Sequence, residues 1–192
     1  MTTPEFDLEA AAAAVEAVAA AVTDADLDRP TPALPTVRDM LAHVLGFTEG
    51  FRQGATKEAI GSSQPPAPAA LPGDWRDRIP AQLKSLVAAW REPHAWEGET
   101  EVGGVLAPAT QMALFALDEL VVHGWDLARA TGQPYAPADR DLAVLLGFLR
   151  DTPREGIPGL FGPVVEVPAE APLLDRVVGL TGRDPAWTAP RS

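Results

Sequence analysis

The chain has 192 residues, of which 46% are hydrophobic and 22% are charged, values that favour a single folded domain over residues 1–192. With 27 acidic and 15 basic residues, the net charge of −12 disfavours nucleic-acid binding, because phosphate backbones would be repelled. The absence of cysteine excludes disulfides and leaves only histidine and carboxylate side chains as metal ligands.

The Ala-rich start has the composition of a helix and not of a targeting segment. It lacks a basic segment and carries Glu9 and Glu16, so we expect neither a signal peptide nor a membrane span, and a cytoplasmic location follows. Thr3 and Pro4 predict the start of a first helix that continues to about residue 22. Thr36 predicts the cap of a second helix, which runs to about residue 54.

In the middle of the chain, the sequence predicts a Pro-rich loop followed by a third helix. Residues 60–73 lack periodicity and predict a mobile loop, whereas residues 74–92 are helical in pattern. Pro80 either kinks this third helix or marks its start. Residues 94–106, HAWEGETEVGGVL, form the one segment in which a short strand or hairpin is expected.

The second half predicts the longest helix and several shorter ones. The longest helix opens after Pro108 and ends at Gly132, and a fifth helix follows Pro137. Residues 151–192 form a Pro-rich tail with one short helix, LLDRVVGLTG. The predicted fold is therefore all-α, an up-and-down four-helix bundle with short additional helices.

Three ionisable residues lie on one face of the longest helix. Helical spacing places Glu119, His123 and Asp126 together, and burial of such groups is costly unless they are paired, solvated or bound to a cation. Glu119 and His123 are four residues apart and can bind one divalent ion with a third ligand from another helix. His43 lies on the core-facing side of the second helix, whereas His94 is expected at the surface.

The residues alone leave other interpretations open. Glu119 and His123 are also a common helical pair, and His43 could be a hydrogen-bonded core residue. Asp126 could orient a ligand, act as a base near an open coordination position, or pair with Arg129 or a basic residue of another helix.

Three further residues near this face of the helix can be placed from the sequence. Asp118 lies more than a quarter turn away from Glu119, off the polar face. Trp125 is expected to pack between helices. Gly124 is unfavourable within a helix and suggests close approach by another backbone.

The segments RDMLAH, ELVVHGWDLARATGQ and GRDP carry a resemblance over nearly the whole chain. They resemble the DinB/YfiT-like metal-binding superfamily, in an actinobacterial branch similar to the N-terminal domain of mycothiol-dependent maleylpyruvate isomerase. The resemblance implies a four-helix bundle with a divalent metal, usually zinc, held by His43, Glu119 and His123. It also implies a low-molecular-weight thiol, mycothiol, as a cosubstrate. The isomerase has a separate C-terminal domain, whereas this chain has only a short tail after its bundle.

These observations predict three alternative functions. The first is a zinc-dependent thiol transferase or isomerase that acts on a small electrophile, with Asp126 as its candidate catalytic residue. The second is a non-catalytic protein that binds a metal or a small ligand. The third is a structural bundle, compatible with a homodimer because Ala-rich apolar helices often bury a second face by association.

Overall fold

In a computed structural model of the protein, which describes residues 6–65 and 69–189, the chain is mostly helical. The elements of the described residues are α1 (Glu9–Ala20), α2 (Val37–Thr56), α3 (Trp75–Arg91), β1 (Glu99–Val102), β2 (Val105–Pro108), α4 (Ala109–Thr131), α5 (Asp139–Leu149) and α6 (Leu173–Leu180). Short 3-10 helices occupy Asp24–Asp26 and Pro93–Trp96. The all-α prediction is therefore confirmed at the level of class, with the expected hairpin as an addition.

Local capping signals explain where the longest helices begin and end. The Thr36 side chain accepts a hydrogen bond from the backbone N–H of Asp39 at 3.2 Å, which satisfies one unpaired donor of the first turn of α2. Gly132 adopts a left-handed φ of 71° and ends α4 at the predicted position.

Two predicted helix starts need correction or fall outside the described chain. The Thr3–Pro4 start lies outside the described residues, and α1 begins only at Glu9. Pro80 does not start α3, since the helix begins at Trp75 and Pro80 lies within it.

Helices α2 and α4 pack against each other, and each also packs against one of the other two main helices. Both α1 and α2 contact α3 and α4, and α5 lies between α4 and α6. Helix α4 is buried on most sides, as its apolar pattern predicts, because it contacts α1, α2, α5 and the hairpin. None of the described helices is both long enough and apolar enough to cross a membrane.

The hairpin covers the C-terminal half of α2. Strands β1 and β2 pair antiparallel, and Gly103 and Gly104 connect them with φ values of 60° and 80°, as a two-residue turn requires. The Val102 side chain lies against Gly50 and Gly54 of α2. This fixes the position of the hairpin relative to the helix that carries His43.

The tail docks on α4 after α6 ends in a left-handed turn. Gly182 has a φ of 85°, and its N–H donates to the Gly179 carbonyl at 3.1 Å. The N–H of Arg183 donates to the Val178 carbonyl at 3.0 Å, so the two bonds form a Schellman motif. Arg129 of α4 donates a hydrogen bond to the carbonyl of Pro185, which holds the following segment.

Candidate metal centre

The two helices bring three potential metal ligands together. His43 comes from α2, and Glu119 and His123 come from consecutive turns of α4. The Nε2 atoms of His43 and His123 lie 3.2 Å apart, and each lies 3.1 Å from Oε2 of Glu119. His94, by contrast, is exposed in the 3-10 helix that follows α3.

The size of this triangle fits a tetrahedral metal site. Zinc bonds to nitrogen and oxygen of about 2.0–2.1 Å place tetrahedral ligand atoms about 3.3 Å from one another. The observed separations of 3.1–3.2 Å are close to that edge length. Two imidazole nitrogens and one carboxylate oxygen are also a donor set that suits zinc.

The cluster is partly open. The side chains of His43 and Glu119 are 28% and 26% exposed, whereas that of His123 is 12% exposed. The ring of Phe47 lies 5.5 Å from the His43 ring and 6.0 Å from the His123 ring, and forms an apolar wall. Three ligands on a partly exposed cluster leave room for a fourth, exogenous group.

Asp126 orients His123. Its Oδ2 accepts a hydrogen bond from Nδ1 of His123 at 2.9 Å, and its side chain is fully buried. An imidazole that donates from Nδ1 keeps the lone pair on Nε2, which faces Glu119 and His43. Of the alternatives open for Asp126, pairing with Arg129 is not observed among the described residues, since Arg129 donates instead to the carbonyl of Pro185. The basic partner is Arg183, from the tail beyond α6.

Charges and hydrogen bonds around the cluster shift the pKa values of Glu119, His123 and Asp126. Burial opposes the charged forms of Glu119, His123 and Asp126, but the attraction and hydrogen bonds between His123 and the two carboxylates, together with Arg183 beside Asp126, outweigh it. The pKa values of Glu119 and Asp126 are therefore lowered, and that of His123 is raised to about 9. The metal-free cluster thus holds a proton on His123 at neutral pH, in the place where a cation would bind.

Of the three neighbours with sequence predictions, only Gly124 differs from what was expected. Asp118 is off the polar face as expected, but it is buried, and burial together with the charge of Glu119 raises its pKa to about 7. Gly124 is approached by the side-chain ring of Tyr135 and not by a backbone. The Tyr135 hydroxyl donates to the Val121 carbonyl at 2.9 Å. Trp125 is buried as predicted.

Among the described residues, Arg183 contacts Asp126 beside the cluster, and helical spacing did not predict this contact. No periodicity connects a residue beyond α6 to the middle of α4. The only sequence signal is its place in the closing segment GRDP.

A mostly helical chain with a partly open cluster of two histidines and one glutamate is a candidate metal-binding protein. The family model of the mycothiol maleylpyruvate isomerase N-terminal domain matches residues 8–128, and the chain belongs to this family. The matched segment contains the three cluster residues and Asp126, and it ends before Arg183. No curated protein and no solved structure was found to match the chain.

Proposed function

We propose that this protein binds one divalent metal, zinc in preference to other ions, through His43, Glu119 and His123, and uses it to activate a low-molecular-weight thiol. The reaction is transfer of the thiol to a small electrophile or thiol-assisted isomerisation, with mycothiol as the thiol that the family name suggests. The observation that carries the proposal is the triangle of donor atoms 3.1–3.2 Å apart. We also propose that α1 to α4 form a four-helix bundle.

The charges of the ligands suit this chemistry. When bound, zinc would supply a Lewis-acidic open position, which would lower the pKa of a thiol below its free value of about 8.5. His43 and His123 bind as neutral imidazoles and Glu119 contributes one negative charge, so the site keeps a net positive charge that favours an anionic sulfur. Phe47 shields one side from water, and Asp126 keeps His123 in the binding tautomer.

Asp126 supports catalysis by orientation and not by proton abstraction. Both of its carboxylate oxygens accept hydrogen bonds, from His123 and from Arg183, and the side chain has no exposed surface. The thiol proton would then pass to solvent, and the sulfur lone pair would form the new bond to the electrophilic carbon. In a transfer the leaving group would depart with its bonding electrons, and in an addition the π electrons of the electrophile would shift onto its acceptor atom.

The hydrogen bonds of Asp126 also favour a second candidate function, a metal-binding protein without catalytic activity. Among the described residues, Asp126 is the one carboxylate hydrogen-bonded to the three candidate ligands from outside, and both of its oxygens already accept hydrogen bonds. In addition, the family match covers only residues 8–128. Such a protein would bind zinc and a thiol ligand without transferring it.

The test combines metal analysis with turnover. Purified protein loaded with zinc should contain one ion per chain and should accelerate the reaction of mycothiol with a small electrophile, such as a chlorodinitrobenzene, above the rate with free zinc. Chelated protein should be inactive. Stoichiometric zinc without any acceleration across several electrophiles would favour the non-catalytic candidate, and absence of zinc binding would refute both.

A further inference from the structure

A partly buried arginine from the tail, Arg183, makes a bidentate contact with Asp126. Arg183 donates from Nη2 to Oδ2 at 3.0 Å and from Nε to Oδ1 at 3.3 Å, and its side chain is only 12% exposed. We propose that Arg183 is a positioning residue of the metal site, acting through Asp126 to keep Nε2 of His123 facing Glu119 and His43. This inference rests on the proposed metal binding.

The tail is built to hold Arg183 in place. The Schellman motif at Gly182 fixes the backbone of Arg183 against the end of α6. A third donor of the guanidinium, Nη1, bonds to the carbonyl of Thr181 at 3.1 Å. Because the hydrogen bonds of the guanidinium join α4 to the end of α6, its planar group meets the carboxylate in a bidentate orientation.

The hydrogen bonds from Arg183 to Asp126, and from His123 to Asp126, have a direct electrostatic consequence. A carboxylate without exposed surface is costly to keep ionised unless it is paired and hydrogen-bonded. Arg183 supplies the positive charge that persists when His123 is a neutral metal ligand. An ionised Asp126 can then accept from Nδ1 of His123, which makes Nε2 the more basic ligand atom.

The proposal extends the site beyond the family-matched segment. Residues 8–128 contain the ligands and Asp126, but Arg183 lies in the tail. The tail therefore acts as part of the metal site, although it contains none of the three ligands.

The experiment measures zinc affinity of full-length variants by competition with a fluorescent chelator. Arg183→Ala should weaken zinc binding by about 10–100-fold, the range seen when the outer partner of a ligand is removed. Arg183→Lys keeps the positive charge but not the planar, bidentate guanidinium, so its zinc affinity should lie between those of the wild type and Arg183→Ala. Arg129→Ala is the matched control, because it removes another hydrogen bond between α4 and the tail without removing a partner of Asp126.

A second readout separates positioning from general stability. The chain has three histidines, so long-range ¹H–¹⁵N spectra of the zinc-bound protein can report which His123 nitrogen carries the proton. Arg183→Ala should lose the uniform Nδ1–H form of His123, and Arg129→Ala should retain it.

The outcomes separate this inference from the proposed function. If wild-type protein does not bind zinc, the proposed function fails, and this inference fails with it. If the wild type binds zinc and Arg183→Ala binds equally well, only the role of Arg183 is refuted. If Arg183→Ala does not fold, Arg183→Lys decides, and unchanged affinity of that variant overturns the inference. An equal loss in Arg129→Ala would also overturn it, since general tail docking would then explain the effect.

Discussion

His123 uses both of its ring nitrogens, and this makes it the most informative single residue of the cluster. Its Nε2 atom faces Glu119 and His43, and its Nδ1 atom donates to Asp126. We expect His123→Ala to abolish stoichiometric zinc binding, because only two ligands would remain and Asp126 would no longer position a third. Elemental analysis after dialysis against a weak chelator would measure this.

The matched control is His94→Ala. His94 is exposed and lies outside the cluster, so this variant should retain one zinc per chain. A His123→Ala protein that keeps full zinc content would contradict the assignment of the three ligands.

Zinc affinity should depend on pH through His123. In the metal-free protein the pKa of His123 is about 9, so below that pH a proton must leave before the ring can bind zinc. Affinity should therefore fall as pH falls, by about tenfold per unit between pH 8 and pH 6.5 if one proton is displaced. Chelator competition at several pH values would measure the slope, and a flat profile would contradict the prediction.

The spacing of residues within one helix explains how far the site could be predicted from the sequence. Glu119, His123 and Asp126 are separated by four and three residues, so their shared face follows from helix geometry. His43 could be proposed from its position on the core-facing side of its helix. Arg183 could not, because its contact with α4 depends on how the tail folds back, and no local pattern encodes that path.

At the scale of elements, α2 has a glycine at every fourth position over its second half. Gly54 is buried against the hairpin, where an added Cβ would lie 2.7 Å from a methyl group of Val102. Gly54→Ala should therefore destabilise the protein by about 1–3 kcal/mol, since the hairpin or the helix must shift. Chemical denaturation of the metal-free protein would measure the change in unfolding free energy.

Gly46 is the control in the same helix. An added Cβ there meets nothing within 4 Å, and the position is exposed. Gly46→Ala should stabilise the protein by about 0.5–1 kcal/mol through helix propensity alone. Equal effects of the two substitutions would show that the close approach of Val102 does not constrain α2.

Elements with local signals were the ones that could be predicted. Thr36 and Gly132 carry their own capping chemistry, and the boundaries of α2 and α4 follow them closely. Pro80 was ambiguous because a proline is compatible with the first turn of a helix. The helix begins earlier because Trp75 and Ile79 are buried in the core, and this burial is a tertiary contact that the local sequence does not show. The arrangement of the helices around one another depends on contacts between distant residues and is not encoded in any single segment.

At the scale of the whole molecule, zinc should raise the thermal stability. A ligand that binds only the folded state at 100 times its Kd stabilises by about 2.7 kcal/mol. For a domain of this size that corresponds to an increase in Tm of about 5–10 °C. Differential scanning fluorimetry with and without zinc would show the shift, and His123→Ala should show none.

The placement of the cluster on two helices has a kinetic consequence. His43 and Glu119 are 76 positions apart in the chain, and their side chains meet only once α2 has packed against α4. Zinc therefore has no complete site in the early stages of folding, and its stabilisation should appear as slower unfolding with an almost unchanged refolding rate. The lifetime of the folded chain, and not its speed of assembly, would then depend on the metal supply.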